Sequence, residues 1–372
     1  MECEDLSKIF KKNGLTFFSG VPDSTFKGWM TFLDEKNEFT NVIAANECEA
    51  TAICTGYHLA TEKIGVAYMQ NSGLGKCVNP LTSLCDKEVY SIPLILMVGW
   101  RGEPGKKDEP QHKKMGRITL PLLECLEIPY KIITNEINEA EKSIYEMINI
   151  AKEKNIPVAI IIKEGIIEDC PSKKEKKNNF EMSREDAIKT IADNLDYSDA
   201  IVSTTGKTSR ELFEYRVAKN HVPNDFYTVG SMGCASSIAN AIALQKSNKK
   251  IFVFDGDGAA LMQLGAMATI GHYKPKNLYH IIFDNNSHDS TGGQPTISDT
   301  VDFEKIALAV GYSFARSIKT KKELVAFMKN IKQKTGPALL VIKVNPGARK
   351  DLGRPTKTPI ENKNSFMEKL CK

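Results

Sequence analysis

The chain is 372 residues long, 41% hydrophobic and 26% charged, which is enough for two domains of ordinary size that each bury a core. Its formal net charge of +4 comes from acidic and basic residues mixed along the whole length, so no concentrated basic face exists; nucleic acid is excluded as an expected partner and a small molecule is favoured. Nine cysteines at positions 3, 48, 54, 77, 85, 125, 170, 234 and 371 form no CxxC pair, which points to reduced thiols and excludes a disulfide framework or a zinc site.

In chain order, MECEDLSKIFKKNGL opens the sequence as a charged, amphipathic segment without the apolar core of a signal peptide. No later stretch approaches the ~18 apolar residues of a membrane span, so a soluble, cytoplasmic protein with no membrane contact is expected. Apolar strands are predicted at 64–70, 92–100, 250–258 and 278–286, alternating with helical segments. Strands without polar alternation are buried on both faces, as parallel sheets require. Residues 138–163 read as an amphipathic helix, a break and an apolar strand, and 320–343 repeat that plan. The fold class expected is therefore α/β, with two parallel-sheet domains at 1–167 and 183–372. Between them lies a Pro-, Lys- and Asn-rich linker at 168–182. Ser183 and Asp186 match a capping box that opens the second domain.

Ligands of open α/β sheets bind beyond the carboxyl ends of the strands, and the informative residues gather there. Asp257, in the GDG of FDGDGAALMQLG, and Asn286, in DNNSHDSTGGQPT, each follow an apolar strand and stand 29 residues apart, room for one helix and a return strand. A right-handed crossover would set the two strand ends side by side. A carboxylate and an amide oxygen are hard ligands suited to Mg²⁺, which completes its octahedron with water and phosphate oxygens. Gly256 and Gly258 would let the backbone approach a diphosphate, and a helix beginning near Ala259 would turn free N–H groups toward it.

GDG followed some thirty residues later by NN resembles the signature of the thiamine-diphosphate enzymes. The resemblance implies thiamine diphosphate and Mg²⁺ as cofactors, the ion held by Asp257, Asn286 and the backbone oxygen of His288. GSMG at 230–233 is similar to the family's segment in which a bulky residue wedges between the cofactor's two rings. That implies Met232 as the wedge, Gly230 as the carbonyl facing the aminopyrimidine, and Ser231 between them. TGKTS resembles the loop that opens the diphosphate domain and implies contacts from Thr205, Gly206, Lys207 and Thr208. NECEATAICTGYHLA resembles the pyrimidine-domain helix in which a glutamate precedes Gly-Tyr, placing Glu47 on the aminopyrimidine N1′ as the activating acid. Because that acid and the ion site facing one cofactor come from different subunits in the family, a homodimer or homotetramer with sites between subunits is implied.

The chain lacks the middle domain and the adjacent histidine pair of the pyruvate decarboxylases. SGVPDSTFKG, MQNSGLGK, GWRGEPGKKDEPQHKKMG, DSTGGQPT and DLGRPTKTP are instead similar to the phosphonopyruvate decarboxylases, almost from end to end. That implies loss of CO₂ from 3-phosphonopyruvate to give phosphonoacetaldehyde, a step of phosphonate biosynthesis, with Asp23 and His112 as catalytic pocket residues. Arg101, Lys106, Lys107, His112, Arg349 and Arg354 are candidate loop groups for the dianionic phosphonate. The similarly built sulfopyruvate decarboxylases are the alternative reading. A carboligase of the acetolactate synthase type is disfavoured, and so is a catalytically silent scaffold, since a scaffold has no need of Glu47.

Overall fold

The computed structural model describes residues 1–170, 179–221 and 223–371. The chain divides into two compact units, Met1–Glu175 and Lys176–Lys372. The central part of the expected linker, residues 171–178, lies outside the described residues. Its described flanks are tied to their own units: the Glu168 amide donates to Met1 O at 3.0 Å, and the Phe180 amide donates to Asn345 Oδ1 at 3.0 Å.

In the first unit the strands are β1 (Phe17–Gly20), β2 (Thr40–Ile43), β3 (Val66–Gln70), β4 (Ile95–Gly99), β5 (Tyr130–Ile132) and β6 (Val158–Ile162). The helices are α1 (Cys3–Lys12), α2 (Lys27–Glu35), α3 (Glu47–Thr61), α4 (Leu74–Ser83), α5 (Pro110–Cys125) and α6 (Ile137–Lys154). All six strands are parallel, in the order β2-β1-β3-β4-β6-β5. β4 and β6 are buried along their whole length, as the absence of polar alternation in them predicts. Under one face Phe10, Phe18, Trp29 and Phe39 interlock with ring centroids 5.3–5.6 Å apart.

The second unit carries β7 (Ala200–Ser203), β8 (Asp225–Tyr227), β9 (Ile251–Gly256) and β10 (Leu278–Asp284), then a short antiparallel pair, β11 (Ser287–His288) with β12 (Gln294–Pro295), and finally β13 (Phe314–Ile318) and β14 (Ala338–Lys343). Its helices are α7 (Arg184–Ala192), α8 (Lys207–Ala218), α9 (Ala235–Gln245), α10 (Asp257–Met262), α11 (Gly265–Tyr273), α12 (Phe303–Ala309), α13 (Lys321–Asn330) and α14 (Pro359–Cys371). Its main sheet is parallel, ordered β13-β14-β10-β9-β7-β8. Read from its other edge this is the strand order of the first unit, so the helix-to-strand echo between 138–163 and 320–343 extends to whole domains. The capping box of Ser183 with Asp186 is present, and Thr320 with Glu323 forms a second.

Two local expectations shift. The helix after GDG starts at Asp257 and not near Ala259, with Gly256 in extended conformation as its cap. His112 sits in the first turn of α5, which Pro110 opens, and not in a loop. Among the described residues no helix is long and apolar enough to cross a membrane.

Trp29 is fully buried, and its indole N–H has no hydrogen-bond partner. Trp29→Ala is expected to lower the unfolding free energy by about 3–5 kcal/mol. Trp29→Phe should cost far less, since no hydrogen bond is lost; urea titration followed by circular dichroism ranks the two.

Candidate active site

In the second unit β9 and β10 are neighbours, with Gly256 paired to Phe283, so GDG and the Asp284–Asn286 turn leave the sheet side by side. Asp257 is 2% exposed, and its Oδ2 accepts hydrogen bonds from Thr296 Oγ1 at 2.5 Å and Ser298 Oγ at 2.9 Å. The same Ser298 oxygen lies 2.8 Å from Asp284 Oδ1 and 2.9 Å from Asn286 Nδ2. One hydroxyl therefore ties together the two residues expected to ligate a metal. Asp284 is fully buried and is neutralised by Lys343 on the neighbouring β14. Burial, and then the negative charge of Asp284, push the Asp257 carboxyl up to about 6 against the pull of its two hydroxyl donors. Asn286 has φ 56°, the left-handed conformation that asparagine tolerates better than most residues.

The remaining expected residues of this unit gather around the same strand ends. Gly206, at φ 93°, caps α8, whose first turn contains Lys207 and Thr208. Thr205 Oγ1 accepts from the Gly230 amide at 3.0 Å, joining the TGKTS and GSMG segments. Ser231 is exposed, and both it and Gly230 have positive φ. A Cβ on Gly258 would stand 2.8 Å from the His288 ring and 3.3 Å from Met232 Cε, whereas one on Gly256 would meet nothing. A Cβ on Gly206 would stand 2.7 Å from Ser290 Oγ, so the turn after His288 lies over the start of α8. Ala259 is buried in the first turn of α10. This donor set fits a divalent ion at Asp257 and Asn286, with the start of α8 available to a diphosphate. The His288 carbonyl accepts from the amides of Thr291 and Gly293 at 3.1 and 3.0 Å, so an ion there would compete with the bonds that close the turn.

The first unit assembles a separate cluster. Glu47 is the first residue of α3, capped by Asn46, and is 6% exposed. Its Oε2 lies 3.2 Å from Lys76 Nζ yet takes no hydrogen bond, and its carboxylate packs so closely on Gly73 that a Cβ there would come within 2.5 Å of Oε1. Three residues before Gly73, Gln70 Nε2 donates to Asp23 Oδ1 at 2.7 Å while Gln70 Oε1 accepts from Ser72 at 2.8 Å. One strand end thus holds both acids. Asp23 is fully buried and its Oδ2 is unpartnered, so burial raises its pKa above the usual carboxylate range. Burial, and then the Arg101 charge, lower that of His112, whose Nδ1 is also unpartnered.

Three of the six candidate phosphonate groups are engaged within their own unit. Arg101 forks onto Asp108 at 2.5 and 2.9 Å and donates to Ser24 at 3.1 Å. Lys106 pairs with Glu103 at 2.9 Å, and Arg349 is bound among Glu185, Glu214 and Asp351. Sequence reasoning missed Gln70, Thr296, Ser298 and Lys343. Only Gln70 left a signal, as the single polar residue closing an apolar strand.

Residues 204–342 match the family model described as thiamine pyrophosphate enzyme, C-terminal TPP binding domain, and 3–119 match the corresponding N-terminal TPP binding domain. The chain belongs to the thiamine pyrophosphate enzyme family, and its cofactors are thiamine diphosphate and Mg²⁺. Among its relatives is the phosphonopyruvate decarboxylase of Streptomyces viridochromogenes, 33% identical over 95% of this chain and 91% of that one. The enzyme of the same name from Streptomyces hygroscopicus is 34% identical over 95% and 90%. The sulfopyruvate decarboxylase of Methanosarcina acetivorans is 28% identical over 99% and 97%.

The raised pKa of Asp257 carries a sign. Its folded-state value of about 6 exceeds the ordinary 3.8, so the cofactor-free folded protein holds this proton more tightly than the unfolded chain and loses stability as pH rises through that window. Asp257→Asn is expected to stabilise the cofactor-free protein at pH 8 by on the order of 1–2 kcal/mol, with the gain shrinking toward pH 5. The same variant should lose Mg²⁺-dependent cofactor retention. Thermal melts at the two pH values, with dialysis and thiochrome fluorescence, check both halves.

Proposed function

We propose that the protein catalyses the non-oxidative decarboxylation of 3-phosphonopyruvate to phosphonoacetaldehyde and CO₂, in phosphonate biosynthesis. The observation that carries this reading is the near end-to-end similarity to two phosphonopyruvate decarboxylases at 33% and 34% identity. When bound, thiamine diphosphate supplies the electron sink that lets a 2-oxo acid lose CO₂. Asp257 and Asn286 would hold Mg²⁺, with His288 O as the third protein ligand. Thr205 to Thr208 and the backbone of Gly256, Gly258 and Ala259 would receive the diphosphate. Gly230, Ser231 and Met232 would set the cofactor's ring orientation.

In the first unit Glu47 presents a buried, weakly satisfied carboxylate suited to exchanging a proton with a ring nitrogen. Asp23, with its raised pKa and unpartnered Oδ2, is suited to hold a proton more readily than an ordinary carboxyl and deliver it to the product carbon. His112, with its lowered pKa, is suited to act as a neutral imidazole. Residues 1–167 would be the pyrimidine-binding domain, 168–182 the linker and 183–372 the diphosphate-binding domain. The family resemblance supports a homodimer or homotetramer in which Glu47 of one copy serves the Asp257 site of another. Nine free thiols support a reducing, cytoplasmic location.

Sulfopyruvate is the second reading, favoured by the 28% identity to a sulfopyruvate decarboxylase over nearly both chains. A coupled aldehyde assay with phosphonopyruvate, sulfopyruvate and pyruvate, with and without thiamine diphosphate and Mg²⁺, separates them. The highest kcat/KM is expected for phosphonopyruvate; a higher value for sulfopyruvate overturns the assignment. Glu47→Gln is expected to lower kcat by about 10²-fold or more while leaving the Kd for thiamine diphosphate within a few fold, and equal turnover in this variant would refute the role of Glu47.

A further inference from the structure

Arg184 is the first residue of α7, where the helix dipole disfavours a cation, and it is only 6% exposed. A buried guanidinium persists only when its donors are matched, because desolvating an unpaired charge is strongly unfavourable. Here Nε and Nη2 fork onto Glu211 of α8 at 2.8 and 2.9 Å, Nη1 reaches Asp289 Oδ2 at 2.7 Å, and Nη2 also donates to Gly347 O at 3.3 Å. Glu211 is 1% exposed, so the pair sits inside the unit and not on its rim.

Asp289 passes this anchorage on to the turn after β10. Its Oδ2 accepts from Asn285 Nδ2 at 2.8 Å and its Oδ1 from the Gly347 amide at 3.0 Å. Asn285 Oδ1 in turn accepts from the Ser287 amide at 3.0 Å. The turn bearing Asn286 and His288 is therefore held from two sides, by Ser298 on the Asp257 side and by the Arg184–Asp289–Asn285 chain on the other. Glu211 lies on the helix whose first turn, at Lys207 and Thr208, would receive the diphosphate.

We propose that Arg184 is a positioning residue for the metal site, fixing through Asp289 and Asn285 the turn that presents Asn286 and the His288 carbonyl to the ion. This rests on the reading of Asp257, Asn286 and His288 as metal ligands. Mg²⁺ demands a near-ideal octahedron at roughly 2.0–2.1 Å, whereas Ca²⁺ accepts looser oxygen cages at roughly 2.3–2.6 Å. A residue that sets ligand geometry must therefore govern the choice between the two ions, which a residue that only stabilises the fold does not.

The test is calorimetric titration of thiamine diphosphate into the full-length protein at varied Mg²⁺ or Ca²⁺, comparing wild type with Arg184→Met, Arg184→Lys and Asp289→Asn. The apparent Kd for Mg²⁺ is expected to rise about 10- to 100-fold in Arg184→Met, the range typical for loss of groups that orient metal ligands, and that for Ca²⁺ by less than about threefold. Arg184→Lys should fall between, since an ammonium meets one partner but not the fork. Asp289→Asn keeps an acceptor for Asn285 and removes the charge pair, so it must show the same Mg²⁺-selective loss and decides the matter if Arg184→Met does not fold. Equal losses for both ions, or no change for either, overturn the inference. Failure of the wild type to bind thiamine diphosphate with either ion would overturn the metal-site reading itself, whatever the variants do.

Discussion

The second unit is organised around two buried carboxylates that must share one corner of a sheet. Asp257 follows β9 and Asp284 closes the adjacent parallel β10, both are at most 2% exposed, and Ser298 bridges them. Two such anions would repel strongly in a low-dielectric interior. Lys343 neutralises Asp284, and hydroxyl donors partly satisfy Asp257, which still has an elevated pKa. The fold therefore keeps Asp257 as the less compensated acid, a state that a divalent ion would relieve and that a purely structural turn would have no reason to maintain. An acid that would stabilise a metal-loaded protein destabilises the empty one, a common trade at functional sites.

The shared strand order of the two sheets gives this corner a counterpart. β9 in the second unit corresponds to β3 in the first, and β7 to β1. The residues that close or follow those strands are Asp257 and Thr205 in one case, Gln70 and Asp23 in the other. Likewise α9, entered from Gly230–Met232, corresponds to α3, entered at Glu47. The same sheet edge, where strand order reverses direction, has thus been equipped twice with different chemistry. In the second unit the edge gathers oxygen donors, left-handed turns and a helix start. In the first it gathers two poorly satisfied acids around the segment from Gln70 to Gly73.

Much of this was legible in the sequence because it depends on short-range rules. Apolar runs without alternation identified the parallel strands, Ser183 and Asp186 showed the start of α7, and the spacing between Asp257 and Asn286 implied the crossover that sets β9 beside β10. What escaped is the supporting structure, whose partners are distant in sequence. Lys343 reaches Asp284 from 59 positions away and Arg184 reaches Asp289 from 105, and no periodicity connects such pairs. Ser298 and Thr296 look like ordinary loop hydroxyls until the fold returns them to Asp257. His112 reads as a loop group in the sequence, although Pro110 is a helix-starting residue and α5 begins there.

Charge counting was least informative about substrate recognition, for a physical reason. A dianionic phosphonate calls for cations, and the sequence offers several in the right segments, but Arg101 forms a bidentate bond with Asp108 and Arg349 lies among three acids. For Arg101 to grip a phosphonate it would have to release Asp108, leaving a partly buried carboxylate beside an incoming dianion, which costs both the fork and the repulsion. These arginines are better understood as fixing their loops than as waiting for substrate. The Arg101 charge also accounts for part of the lowered His112 pKa, with Asp108 pulling the other way, so its effect on chemistry runs through a neighbouring field and not through contact.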